Sequence, residues 1–394
     1  MKILLVTPSF YPRVGGLEKY TFNIVLRLTK NYGEEVMVVT TNALKQRECG
    51  TGVEELNINH NVIRIYRLPS ILRVYSASLD YSWLRTIKDI ILKERPDVLN
   101  AHMPVPCLSD LAIYLAKKYK IPSILTYHND VTGETFFKRF IAKSYYVLMG
   151  YRTLHIADII ITTSKIYAYK SPYLNRFLNK IRIIPPGIDK KYFRVYCSKE
   201  IKYRLGFPQN YNIILFVGRL DKYAKFKGLD YLLMAFKLVH QLNRKTLLLI
   251  VGEGDYRHYY ELLSQKLRLK EKVRFEGFVE ENLLPYYYAC SDLVVLPSFN
   301  EAEGFGMVLL EAQAAGTPVI GTYAGGIPAA IKCGLIIPPR RPIILAKSIL
   351  NMLDNIKLWK TKAQKIRRII AKEYSWETIA RKTYNIFCEV SKKC

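Results

Sequence analysis

The feature that most constrains this chain is an alternation of short apolar runs with stretches of helical spacing, carried through twice. In the first half, residues 2–7, 36–40, 62–66, 98–101, 124–127, 159–163 and 181–184 read as strands. Helices near 17–29, 82–94, 108–119 and 136–154 lie between them. In the second half, strands at 213–217, 247–251, 273–275, 293–296, 318–321 and 335–337 alternate with helices at 228–240, 256–267 and 307–315, and the tail 343–390 is helical. The runs are apolar throughout, as in Leu293 to Leu296, which fits strands buried on both faces. Alternation of this kind means parallel sheets covered by helices on each side. At 394 residues the chain exceeds one ordinary core. Pro185-Pro186-Gly187-Ile188-Asp189 reads as the linker between two doubly wound α/β domains, with ligands expected at the carboxyl ends of the strands. Residues 43–61 are poorly patterned and read as a loop.

The most specific stretch is PSFNEAEGFGMVLLEAQAAGTPVIGTYAGGI, residues 297–327. Glu303, Gly304, Phe305 and Gly306 form a turn that allows close backbone approach. Met307 to Ala315 is a good helix former and Gly316 stops it. Gly325-Gly326 opens a second glycine loop. A strand feeding a glycine turn at a helix N-terminus is an anion site. Two carboxylates, Glu303 and Glu311, stand eight residues apart around it.

This stretch resembles the signature of the retaining glycosyltransferases of family 4, which have the GT-B fold. A glutamate, Gly-Phe-Gly and a second glutamate recur here in order and spacing as Glu303, Gly304-Phe305-Gly306 and Glu311, and Ala315 to Ile320, AGTPVI, is similar to the family as well. The resemblance spans most of the chain. It implies an N-terminal acceptor domain over 1–187, rejoined by a last helix at about 375–394, and a donor domain over 188–374, the two facing a central cleft. Ser375-Trp376-Glu377 looks like the start of that last helix.

A departing nucleoside diphosphate carries negative charge that must be neutralised as the bond breaks. No D-x-D motif offers a divalent metal, so fixed cations are the expected solution. Arg219, in VGRL, and Lys227, in KFKG, look like the family's phosphate-binding pair; Arg supplies a bidentate fork and Lys a point charge. Lys225 is a rival to Lys227, and Gly228 favours the latter. By the same resemblance Glu311 binds the ribose diol, Glu303 the donor sugar's hydroxyls, the backbone at Phe305 and Gly306 the phosphates, and Val279 the base. Glu301 competes with Glu303, but only Glu303 directly precedes Gly-Phe-Gly. In the first domain, Gly15-Gly16 would let a loop reach the diphosphate. His128, in LTYHND, matches the active-site histidine, positioning an acceptor or the sugar's primary hydroxyl, or holding a shared proton. His102 ranks below it, and the role of Asp130 is open.

The formal charge is +27, with net +12 up to residue 187 and +15 beyond it. It is densest at 356–372, with seven Lys/Arg and no acid, and at 136–152, with four basic residues and six aromatics. Nucleic acid, anionic lipid and phosphorylated ligands all suit such a surface, and no nucleic-acid motif appears. The 136–152 segment has two readings. Either its apolar stripe packs on the sheet, or it faces an anionic membrane.

The seven cysteines contain no CxxC pair and are odd in number, which fits a reduced, cytoplasmic setting without zinc. No apolar run reaches the roughly 18–20 residues needed to span a bilayer. The N-terminus reads as a first strand rather than a signal peptide.

The expected protein is a metal-independent retaining hexosyltransferase without cofactor. It would use a UDP- or GDP-sugar and a glycan or lipid-linked glycan acceptor, in the cytoplasm or peripherally on the membrane. A catalytically silent sugar-nucleotide-binding subunit, an epimerase of the same fold and a basic nucleic-acid-binding protein are the alternatives.

Overall fold

The structure, a computed structural model, describes all residues except 14, 42–51, 59–60, 71, 75–76, 104–105, 132–135 and 393–394; the side chains of 61, 72–74, 77–79 and 136–139 are likewise left aside. The chain divides into two compact units, Met1–Gly187 with Trp376–Cys394, and Ile188–Ser375.

The first unit contains, in chain order, β1 (Lys2–Val6), β2 (Glu35–Thr41), β3 (Gly52–Ile58), β4 (Asn61–Leu68), β5 (Leu72–Val74), β6 (Ala77–Leu79), β7 (Val98–Met103), β8 (Ser123–Tyr127), β9 (Ile159–Thr162) and β10 (Ile181–Ile183). Eight of them form one sheet in the order β10-β9-β8-β7-β1-β2-β4-β3, and β5 pairs with β6 alone. All neighbours in the large sheet run parallel except β3 on β4. Successive residues of β1 enter different cores: Ile3 and Leu5 pack on one face, Leu4 and Val6 on the other. Both faces are covered, so the strand reads as a continuous apolar run.

The second unit contains β11 (Asn212–Val217), β12 (Thr246–Val251), β13 (Val273–Gly277), β14 (Leu293–Leu296), β15 (Val319–Thr322) and β16 (Gly334–Ile337), all parallel, in the order β13-β12-β11-β14-β15-β16. This is the doubly wound order in which the winding reverses between the first and fourth strands.

The structure differs from the sequence expectation in three places. Residues 52–58, read as loop, form edge strand β3. Most of its side chains are exposed, so it carries no apolar pattern, and only backbone pairing with β4 defines it. The rest of that expected loop, at 43–51 and 59–60, lies outside the described residues. The single helix expected over 136–154 is interrupted: Phe136–Tyr145 passes through a π-turn, Tyr146–Gly150, into Tyr151–Ile156. The cysteines are not all reduced. Cys197 and Cys290 form a disulfide across 93 positions, and Cys388 is disulfide-bonded too. Sequence spacing cannot report a pairing made by tertiary proximity.

The final helix, Trp376–Ser391, packs within the first unit against Gly16–Tyr32. Tyr384 stacks on Tyr32 at 4.0 Å, Glu377 lies 3.7 Å from Arg27, and the Arg27 guanidinium sits over the Trp376 ring at 6.0 Å. Trp376 is 1% exposed. A Cβ at Gly187 would run into its ring, so glycine is required where the chain leaves the unit beside its point of return. Trp376→Ala is expected to cost about 3–5 kcal/mol of stability, read from denaturant unfolding of the whole chain. A loss below about 1 kcal/mol, within the range of an ordinary surface substitution, would show that this anchor does not hold the helix.

Candidate active site

In a doubly wound sheet the crevice opens at the carboxyl ends of the two strands where the winding reverses. In the second unit these are β11, leading to Gly218-Arg219, and β14, leading to Pro297-Ser298. The segment after β11 forms a 3-10 turn, Lys222–Lys227, capped by the Asp221 side chain on the Ala224 amide at 2.8 Å. Lys227 reaches the loop after β14, its Nζ standing 2.9 Å from Glu303 Oε2. Ser298 Oγ donates to the same oxygen at 3.1 Å. Glu303 is only 8% exposed, so its charge needs these partners. Rival Glu301 is exposed, and rival Lys225 lies over the rings of Tyr256 and Tyr259 at 5.9 and 5.4 Å.

The second glycine loop supports the first. The Gly326 amide donates to the Glu303 carbonyl at 2.9 Å. Side chains at Gly325 and Gly326 would collide with the carbonyls of Glu303 and Gly304. Phe305 is a core residue, 4% exposed, that anchors the turn. Gly306 adopts the left-handed conformation, φ 83°, and caps the helix Met307–Ala314 without a side-chain acceptor on its first amides. Glu311 lies on that helix, 7% exposed. Tyr288 donates to its Oε2 at 2.9 Å, and Tyr192 bonds to the same carboxylate. Burial first, then the Glu311 charge, pushes both phenols well above their ordinary range, so they remain neutral donors. Neither tyrosine was flagged by the sequence, because no motif marks them; nor was Ser298.

Arg219 does not share this cluster. Its side chain is 69% exposed and its ion pair is with Asp221, at 3.2 Å. Val279 follows edge strand β13, half-buried against the core.

In the first unit the winding reverses between β1 and β7. Gly15 is extended, φ 178°, and Gly16 begins the helix Gly16–Tyr32. A side chain at Gly15 would meet the Glu18 carboxylate, which accepts from Ser9 Oγ. Gly15 therefore makes room for a buried acid as well as opening the helix N-terminus. His128 follows β8 and His102 lies in β7. Their ring planes lie within 20° of each other with centroids 5.2 Å apart, and the rings meet edge to edge, His102 Nδ1 standing 2.9 Å from His128 Nε2. His102 Nε2 is 2.9 Å from Asn100 Oδ1. Tyr20 meets the His128 ring edge-on at 5.0 Å and Trp376 at 5.8 Å, which links the returning helix to the histidines. Asp130 accepts from Tyr127 and Ser171, at 2.6 and 2.7 Å, and so holds the LTYHND loop.

Residues 198–374 match the family described as glycosyl transferases group 1, and residues 14–192 match glycosyltransferase family 4. The chain is 29% identical over 404 residues to an uncharacterized glycosyltransferase of Methanocaldococcus jannaschii, covering 98% of each. It is 30% identical over 286 residues to the D-rhamnosyltransferase WbpZ of Pseudomonas aeruginosa, covering 71% of this chain and 69% of that one. The solved structure of Anabaena HepE in complex with UDP has the same fold, with a TM-score of 0.74 at 18% identity, covering 99% of this chain and 100% of that one. The chain belongs to the group 1, family 4 glycosyltransferases and has the GT-B fold.

Burial lowers the pKa of His128 to about 4, and burial together with His128 holds His102 well below the ordinary histidine range. Both are neutral in the folded protein at neutral pH, while unfolded histidine titrates near 6.5. The folded state thus binds fewer protons below that value. The stability these groups contribute is present above about pH 6.5 and is lost as pH falls toward 4. His128→Gln is expected to flatten the fall of melting temperature over that window. Superimposable profiles for wild type and variant would mean that His128 titrates normally.

Proposed function

We propose that the protein transfers a hexose from a UDP- or GDP-sugar to a hydroxyl of a glycan or lipid-linked glycan, with retention and without a metal. The observation that carries this is the Lys227–Glu303–Ser298 cluster at the reversal point of the second sheet, followed by the fixed carboxylate of Glu311. The UDP bound by the structurally similar HepE agrees with a nucleotide-sugar donor.

In this reading the second unit binds the donor. Glu311, held by two neutral phenols, keeps lone pairs for a vicinal diol of the ribose. Glu303 gives Oε2 to Lys227 and Ser298. Its Oε1 has no partner among the described residues and is available to a sugar hydroxyl. As the sugar–phosphate bond breaks, the leaving diphosphate gains charge. The Lys227 ammonium is held in place to meet it, together with the backbone amides at Phe305 and Gly306. Arg219, exposed beside Asp221, is free to swing onto the same phosphates. In the first unit Gly15-Gly16 opens a helix N-terminus suited to phosphate and His128 positions a hydroxyl; in the second, Val279 borders the base. No carboxylate is assigned as a nucleophile, so positioning and leaving-group stabilisation carry the rate. A silent sugar-nucleotide-binding subunit would keep the same pocket, and turnover separates the two readings.

A panel of nucleotide sugars, scored for released diphosphate, names the donor and tests activity together. Lys227→Ala is expected to lower kcat by a few hundredfold while sparing free-nucleoside binding. Activity within about twofold, at the edge of measurable transition-state effects, removes Lys227 from the site. EDTA is expected to leave the rate unchanged, and a loss restored by magnesium would overturn the metal-free mechanism.

A membrane-presented acceptor is supported by the helical segment 136–156. Phe140, Ile141, Val147 and Leu148 are exposed by 61, 44, 64 and 75%, while Ala142, Tyr145, Tyr146 and Gly150 face inward. Lys143 and Arg152 are exposed near them. Apolar and basic side chains on one surface suit an anionic leaflet, where each cation contributes about 1 kcal/mol and salt weakens the attraction. No described helix is long and apolar enough to cross a membrane. The attachment proposed is peripheral, on the cytoplasmic face. In vesicle flotation, binding is expected to anionic but not neutral lipid, to fall with salt, and to be lost when Lys138, Arg139 and Lys143 are changed to glutamine. Equal, negligible binding to both lipids would favour a soluble acceptor.

A further inference from the structure

The groups behind His128 form a chain of hydrogen bonds that can run in only one direction. Asn100 is buried in β7, 1% exposed. Its amide nitrogen lies 3.1 Å from the Ile124 carbonyl and 2.9 Å from Thr126 Oγ1. A carbonyl only accepts, so the amide cannot be flipped, and Asn100 Oδ1 must be the atom 2.9 Å from His102 Nε2. That oxygen accepts, so His102 Nε2 carries the proton. His102 is neutral, for burial and its histidine neighbour hold its pKa low. Its Nδ1 is then a bare lone pair, 2.9 Å from His128 Nε2. Two ring nitrogens at that distance share one proton, and here it can come only from His128 Nε2. A neutral His128 with its proton on Nε2 has an unprotonated Nδ1.

His128 is partly exposed at the end of β8, and its Nδ1 has no partner among the described residues. Tyr20, edge-on to both rings at 5.0 and 6.0 Å, restricts their rotation. Tyr20 is itself tied to Thr383 of the returning helix.

We propose that Asn100 and His102 are positioning residues that lock His128 as its Nε2–H tautomer, so that it offers Nδ1 as an acceptor to a substrate hydroxyl. A free imidazole exchanges tautomers and presents either a donor or an acceptor at a given edge. The relay removes that choice. It selects a ligand group that donates, an alcohol of the sugar or of the acceptor, and disfavours one that only accepts, such as an ether or carbonyl oxygen. No proton moves along the chain and no charge develops in it. The catalytic consequence rests on the transfer reading above; the tautomer does not.

The test is a long-range proton–nitrogen correlation spectrum of the full chain with 15N-labelled histidine, recorded without substrate at neutral pH. The His128 signal is assigned by its loss in His128→Gln. The expected pattern is a protonated Nε2 and an unprotonated Nδ1 on both His102 and His128. His102→Phe keeps a ring in the space but removes the acceptor. It is expected to give His128 a mixed-tautomer spectrum and to lower kcat/KM by about tenfold. A role confined to packing would change stability without changing the tautomer. A wild-type His128 protonated at Nδ1 overturns the proposal, as does a His102→Phe spectrum identical to wild type. The wild-type spectrum decides the matter even if the variant does not fold. Absence of turnover with every donor would instead count against the transfer reading and leave the tautomer result standing.

Discussion

The order of strands in a parallel sheet governs the chemistry available to this protein. Parallel neighbours cannot be joined by tight turns, so each strand is followed by a crossover, and the crossovers cover both faces. Only the strand ends remain for ligands. Where the winding reverses, adjacent crossovers depart to opposite faces and leave their loops apart. In the second unit this happens between β11 and β14, and the two loops there carry Lys227 and Glu303. In the first unit it happens between β1 and β7, whose ends lead to Gly15-Gly16 and His102. The same constraint therefore places both sets of polar residues.

The two sets solve the cost of burial differently. In the second unit the buried groups are charged, and each has a designated partner. Glu303 is neutralised by Lys227 and bonded by Ser298, and Glu311 accepts from two tyrosines. Removing one partner would leave a buried charge exposed to the full desolvation penalty. In the first unit, Asn100, His102 and His128 are neutral and hydrogen-bonded in series, with His128 Nδ1 left open among the described residues. An ionic site suits a charged diphosphate, and a neutral one suits hydroxyl groups. The C-terminal helix contributes to the second arrangement through Trp376 and Tyr20 rather than by direct contact.

Part of the +27 charge is structural. In the basic helix Ile356–Tyr374, Lys360 pairs with Asp292 at 2.5 Å. Arg367 donates to the carbonyls of Ala314, Phe193 and Val195 at 2.8–3.0 Å, tying the entry segment of the second unit to the helix that carries Glu311. A cationic run that reads as a surface patch in the sequence thus includes two residues that close loops. On the 136–156 segment, by contrast, Lys143 and Arg152 stand with apolar side chains on the exposed surface.

The sequence by itself determined the class of fold and the stretch around Glu303. Buried parallel strands are apolar on both faces, and turns that approach a neighbouring backbone need glycine at fixed positions; both constraints are local, and both are written in consecutive residues. The edge strand β3 was invisible because its side chains face solvent and only the hydrogen bonds to β4 define it. The disulfide between Cys197 and Cys290, the phenols on Glu311, the divergence of Arg219 from Lys227 and the coupling of His102 to His128 were decided by tertiary structure alone. Each depends on which residues from separate strands and helices meet in space, and a distance across the fold has no counterpart in the spacing along the chain.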